Sequence, residues 1–209
     1  MQIKKATYLI SSPDYTKCPV ADKPEFAFIG RSNVGKSSLI NMLCNNDKLA
    51  KTSNSPGKTQ MINHFDIVSV SNIDSGKSEE KKWYLVDLPG YGFAKISLQS
   101  RRRWEQMIEN YLRKRENLLQ VFVLIDARHP PQKIDIEFLT RLRKWDVPFT
   151  LVFTKADKET QAKVSKNVKS FLEEMRKTWQ FLPRHFVTSA LKKTGKEKIL
   201  VLIEEIISS

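Results

Sequence analysis

The chain has 209 residues, which at roughly 150 residues per domain is the length of one domain with terminal extensions. A hydrophobic content of 40% with 10% aromatics excludes a disordered chain, and two lone cysteines, Cys18 and Cys44, argue against a disulfide scaffold or a zinc site and suit a reducing compartment. Thirty-six basic against 23 acidic residues leave a net charge of +13, the balance of a polyanion-binding surface or, more plainly, of a well-solvated one.

No apolar run approaches the roughly 18 residues that would span a bilayer. The opening stretch MQIKKATYLISSPDYTKCPV lacks the apolar centre and cleavage site of a signal peptide. A cytoplasmic monomer without stable membrane association is therefore expected, with residues 1–22 as an N-terminal extension and 23–209 as the folded domain. In chain order, Glu25–Ile29 (EFAFI) reads as a short buried strand that turns into a helix through KSSLINMLC. His64–Val70 and Lys82–Leu88 are strands joined by a polar hairpin loop over 71–81. Trp104, Met107, Ile108, Tyr111 and Leu112 mark one face of a helix. Gln120–Ala127 and Pro148–Thr154 are near-continuous apolar runs, the signature of strands covered on both faces. A helix follows on Val164, Val168, Phe171, Leu172 and Met175, then a short strand in RHFVTS and a last helix on Ile199, Leu202, Ile203 and Ile206. Strands alternating with helices predict an α/β fold, with a predominantly parallel six-stranded sheet covered by helices on both faces.

The segments between these elements carry the chemistry. Gly30-Arg31-Ser32-Asn33-Val34-Gly35-Lys36-Ser37 fits the P-loop pattern after a strand and before a helix. There, backbone N–H groups and the helix dipole cradle phosphate, Lys36 reaches the β- and γ-phosphates, and the Ser37 hydroxyl holds Mg²⁺. Asp87-Leu88-Pro89-Gly90 ends a strand, where a carboxylate suits Mg²⁺ and Gly90 lets the chain approach the γ-phosphate. Thr154-Lys155-Ala156-Asp157 follows another strand. The Asp157 carboxylate accepts two hydrogen bonds, matching the N1–H and N2–H₂ donors of guanine, whereas adenine would leave it unpaired. Helix capping by Asp157 is the bland alternative. Thr188-Ser189-Ala190 can offer backbone donors to guanine O6. The loop holding Gly57, Lys58, Thr59, Gln60 and Met61 can fold over the γ-phosphate, with the Thr59 hydroxyl completing the Mg²⁺ shell. GTP and GDP are thus the expected ligands.

Taken in order, GRSNVGKS, PGKTQ, DLPG, TKAD and TSA resemble the five guanine-nucleotide motifs of translation-factor-related GTPases. GRSNVGKSSLIN, SPGKTQ, DLPGYGFAK, WEQMIENYL, LIDARHPPQKID and TKADK are similar to the EngB family, a resemblance covering nearly all of the chain after about residue 23. It implies a P-loop GTPase fold and a Mg²⁺-dependent GTPase acting in large ribosomal subunit assembly, with a role in normal cell division and septation. An rRNA partner fits the positive charge. Arg101–Arg103 and Arg113–Arg115 lie on one helix, and Arg102 and Arg113, 11 residues or about three turns apart, share a face. A solvated helix face accounts for either cluster equally well. His64, His129 and His185 read as structural or surface residues.

Many GTPases carry a water-orienting glutamine after DxxG; here that residue is Tyr91, so slow intrinsic hydrolysis is expected. Asn33 stands where related GTPases lacking the glutamine resemble one another in binding K⁺, which would offset transition-state charge. Stabilisation of its own loop is the equal alternative. Lys36, Thr59 and Asn33 are the catalytic candidates. Competing with a GTPase switch are a P-loop ATPase or kinase, against which Asp157 argues, and a nucleotide-gated interaction protein at the division site.

Overall fold

The computed structural model describes residues 1–50, 61–72, 78–92 and 97–209. The strands are β1 (Gln2–Ser12), β2 (Glu25–Gly30), β3 (Ile62–Asn72), β4 (Ser78–Asp87), β5 (Leu118–Asp126), β6 (Phe149–Thr154) and β7 (His185–Val187). The helices are α1 (Lys36–Cys44), α2 (Leu98–Lys114), α3 (Lys133–Lys144), α4 (Gln161–Arg176) and α5 (Lys196–Ile207). One sheet runs in the order β1-β3-β4-β2-β5-β6-β7. β2 pairs in parallel with β4 and β5, β5 with β6, and β6 with β7. β3 is antiparallel to both β1 and β4.

The expected six strands become seven. The added one is β1, from the segment read as an extension, which pairs with β3 from Gln2↔Val70 to Ser12↔Ile62. As an edge strand it buries only Ile3 and Ser12 and leaves Tyr8, Leu9 and Ile10 exposed. It therefore shows none of the alternation that betrays a strand. β3 and β4 also run further than expected, pairing up to Asn72↔Ser78 inside the stretch read as loop. Residues 73–77 lie outside the described residues.

Side chains alternate across the sheet and give each face its own core. Phe26, Phe28, Phe122, Leu124 and Val152 pack with Leu39, Ile40 and Leu43 of α1 and Ile199 and Ile203 of α5. Ala27, Ile29, Val121, Val123 and Phe153 pack on the other side with Ile108 and Tyr111 of α2, Phe138 and Leu139 of α3, and Phe171 and Met175 of α4. The Phe28 and Phe122 rings stack with centroids 4.8 Å apart. Each such fully buried ring contributes about 1.5–3 kcal/mol. β2, β4, β5, β6 and β7 all point the same way, so the loops after them meet at one end of the sheet.

The opposite end is tied by Glu25, the first residue of β2 and fully buried. Its carboxylate accepts from Arg115 Nη2 at 2.6 Å and Nε at 3.0 Å, from the Tyr111 hydroxyl at 2.8 Å and from His64 Nε2 at 3.2 Å. Burial alone would raise this carboxyl; the hydrogen bonds from His64 and Arg115 outweigh it and bring its pKa down to about 2. The RKR pattern places Arg115 in a surface cluster with Arg113, but its side chain faces inward, and Nη2 also donates to Pro19 O at 2.6 Å. His64 is structural in this sense too.

Candidate functional site

Gly30 ends β2 at the sheet's C-terminal edge, and the loop to Gly35 leads into α1. Gly35 has φ of +101°, a conformation side chains rarely adopt, and it starts α1 without any side-chain cap. The first N–H groups of α1 are thus left for an anion, with the dipole behind them. Asn33, at φ +62°, is exposed at the loop tip. Val34 is buried beneath it, and its carbonyl accepts from the Thr154 hydroxyl at 2.6 Å. Ser32 Oγ is buried and has no hydrogen-bond partner among the described residues. Lys36 Nζ pairs with Asp87 Oδ1, both half-buried or deeper. Thus the P-loop ammonium and the last carboxylate of β4 sit together, with Ser37 next in the same helical turn.

Leu88 is buried, and Gly90 follows Pro89 across the P-loop. A Cβ on Gly90 would lie 2.8 Å from Gly30 O, so no other residue lets these two segments touch. Gly57, Lys58, Thr59 and Gln60, with the expected Mg²⁺-binding hydroxyl, lie outside the described residues. Met61, just before β3, is exposed.

The base-recognition candidates converge on the far side of α1. A cavity of about 410 Å³ is lined by Leu39, Thr154, Lys155, Asp157, Thr188 and Ala190 among others. Lys155 adopts φ +59°, which costs a non-glycine residue about 1–2 kcal/mol. Its ammonium holds it there, donating to Asn33 O and, at 2.9 Å, to Asp126 Oδ2. Asp126, at the end of β5, was given no role by the sequence. It accepts from Arg128 Nε at 2.9 Å and Nη2 at 2.8 Å as well as from Lys155. Burial would raise its carboxyl, but these donors hold it well below the usual carboxylate range. The adjacent DARH sequence was the available signal. Ala156 N–H bonds to Thr188 O at 3.1 Å, joining the two base segments.

Asp157 is not the cap of a following helix, since Thr160 caps α4. Its Oδ1 accepts from the Ser189 hydroxyl at 2.5 Å, which lowers its carboxyl below the ordinary range. The N–H groups of Thr188 and Ser189 already bond to Phe153 O and Thr194 O. Among the described residues only Ala190 keeps a free N–H in this tripeptide, narrowing the O6 donor to one atom.

The donors present fit Mg²⁺. Among the described residues no three His, Cys, Asp or Glu side chains cluster as an all-protein cage. Mg²⁺ needs none, because it keeps waters and takes one or two protein oxygens plus phosphate oxygens. Asp87, already facing a cation in Lys36, and the Ser37 hydroxyl are that kind of set.

Comparisons with known proteins identify the family. A family model described as "50S ribosome-binding GTPase" matches residues 25–155. The chain is 50% identical over 206 residues to a probable GTP-binding protein EngB of Porphyromonas gingivalis, covering 99% of this chain and 96% of that one. It is 47% identical over 209 residues, all of both chains, to its counterpart in Christiangramia forsetii. The chain belongs to the EngB family of GTP-binding proteins and is a GTPase. Among solved structures, a probable GTP-binding protein engB at 23% identity shares the fold with a TM-score of 0.57, covering 88% of this chain and 98% of that one. Era, in complex with MgGDPNP and nucleotides 1506-1542 of 16S ribosomal RNA, is 26% identical with a TM-score of 0.65, covering 88% of this chain and 56% of that one. Among the described residues no helix is long and apolar enough to cross a membrane.

Proposed function

We propose that this GTPase binds GTP and GDP with Mg²⁺ at the P-loop end of the sheet and acts in the cytoplasm, as a monomer, as a switch in large ribosomal subunit assembly. The observation that carries the nucleotide assignment is the meeting of the uncapped α1 N-terminus with Asp157 and Ala190 around one cavity, while Asp87 pairs with Lys36 at the start of the same helix. The loop N–H groups leading into α1, beyond those of Ser32 and Val34 that bond to Tyr91 O and Arg31 O, hold the phosphates, and Lys36 leaves Asp87 for the β/γ-phosphate oxygens. Ser37, Asp87 and Thr59 would hold Mg²⁺, which when bound would supply charge neutralisation at the phosphoryl oxygens. Asp157 and Ala190 read guanine, while Lys155 and Thr154 brace the P-loop from below.

A ribosomal partner is supported by the +13 charge, by the family description, and by Era's complex with ribosomal RNA. Arg102 and Arg103 on α2 are exposed, whereas Arg101 and Arg113 are partly compensated by Glu105 and Glu109. A role in normal cell division and septation, implied by the family resemblance, belongs to the same proposal. Cosedimentation with purified large subunits tests the role. Binding with a GTP analogue but not with GDP, weakening steeply with salt, is expected; equal absence of binding in both states would refute it.

The exposed, left-handed Asn33 at the loop tip supports a K⁺ site beside the phosphates. Single-turnover hydrolysis in matched K⁺ and Na⁺ salts should be faster in K⁺, and Asn33→Ala should abolish the difference. Equal rates would remove the ion.

A further inference from the structure

Tyr91 occupies the position after DxxG, yet its side chain points into the fold rather than toward solvent or the P-loop cavity. It is 3% exposed, its ring stacks on Phe138 of α3 with centroids 4.4 Å apart and planes 21° apart, and its hydroxyl donates to Asp135 Oδ1 at 2.8 Å. Its backbone is clamped to the P-loop: Tyr91 N–H donates to Gly30 O at 3.1 Å, and Ser32 N–H to Tyr91 O at 3.4 Å. Arg31, the P-loop residue between them, brings Nε to 3.2 Å from the same Asp135 oxygen without hydrogen-bond alignment. Its aliphatic stem lies 3.7 Å from where a Cβ of Gly92 would be. One buried carboxylate of α3 thus gathers the residue after Gly30 and the residue after Gly90. A tyrosine stacked and bonded in this way cannot orient an attacking water. What it can do is fix where Gly90 lies.

We propose that Tyr91, Asp135 and Arg31 form a latch that positions Gly90 for the γ-phosphate, making Tyr91 and Asp135 positioning residues for GTP. The latch is underfilled. Asp135 is fully buried, but among the described residues its Oδ2 has no hydrogen-bond partner, and neither has Arg31 Nε. An unpaired buried polar atom is unfavourable, so the latch holds Gly90 without making its present position irreversible. It also gives the γ-phosphate end of the site a direct mechanical link to α3, separate from α2. This inference rests on GTP binding at the P-loop as proposed above.

The test uses the full chain and compares a non-hydrolysable GTP analogue with GDP by equilibrium binding, alongside single-turnover hydrolysis. Tyr91→Phe keeps the ring stack and deletes only the hydroxyl. It should weaken the GTP analogue by about tenfold, the coupling expected where the bond holds Gly90 more firmly with GTP bound than without it, and slow hydrolysis, while GDP affinity stays within about twofold. Asp135→Asn keeps an acceptor for Tyr91 and should lose less than Asp135→Ala. Equal weakening of both nucleotides by Tyr91→Phe, or no change in either, would overturn the latch while leaving the nucleotide site standing. Failure of the unsubstituted chain to bind either nucleotide would overturn the site and the latch with it.

Discussion

Two buried carboxylates stand at opposite ends of the same sheet, and they are finished differently. Glu25, away from the P-loop, receives Arg115, Tyr111 and His64, and its carboxyl is driven down to about 2. Asp135, beside the P-loop, keeps one oxygen unpartnered among the described residues; burial outweighs Arg31 and Tyr91 and raises its carboxyl. A saturated carboxylate is a fixed point: β2, β3, α2 and the Pro19 carbonyl are all tied to it. The undersupplied one sits beside the P-loop, where the proposed latch acts. The difference separates a frame from a working end.

Breaking the frame should show the largest effect. Arg115→Ala leaves Glu25 buried without its guanidinium and should cost about 3–5 kcal/mol in urea unfolding. A loss below about 1 kcal/mol would show the network to be incidental. Acid should find the same weakness. Because Glu25 has its folded pKa depressed, its contribution is complete above 4.5 and is lost as pH falls through about 2, a span worth about 3 kcal/mol. Glu25→Gln should flatten that part of the stability profile. At the working end the sign reverses. The raised Asp135 carboxyl binds a proton more readily folded than unfolded, so just above 3.8 it favours the folded chain as pH falls. Asp135→Asn should remove that small gain and leave neutral-pH stability within about 1 kcal/mol of the unsubstituted chain. A loss as large as that of Arg115→Ala would erase the contrast between the two carboxylates.

The strands that build the working end were legible because they are covered on both faces. β5 and β6 are near-continuous apolar runs, and Thr154-Lys155-Ala156-Asp157 begins at the end of β6. β1 was not legible, since an edge strand with Tyr8, Leu9 and Ile10 exposed has no alternating face. α3 escaped because its apolar residues Phe138, Leu139 and Leu142 make a short stripe among charges, and its first turn buries Asp135 rather than a hydrophobe. Arg115 read as surface because two exposed cations precede it; nothing in RKR says that the third turns inward to Glu25. The segments around the cavity could be placed by pattern. The carboxylates that organise them, Asp126 and Asp135, could not, because their partners lie in other loops that only folding brings near.

The most direct test of the account is the nucleotide preference of Asp157→Asn. The carboxylate lies in the cavity with Ser189 on one oxygen. The substitution replaces an acceptor by an NH₂ donor that would oppose guanine's own donors, so GTP affinity should fall by about a hundredfold. Xanthosine triphosphate, with a carbonyl at position 2, should be weakened far less or preferred. Equilibrium titration of both nucleotides against both proteins decides it. A switch in preference from GTP toward xanthosine triphosphate is the predicted result, and unchanged GTP affinity in Asp157→Asn would contradict the assignment of this cavity to guanine.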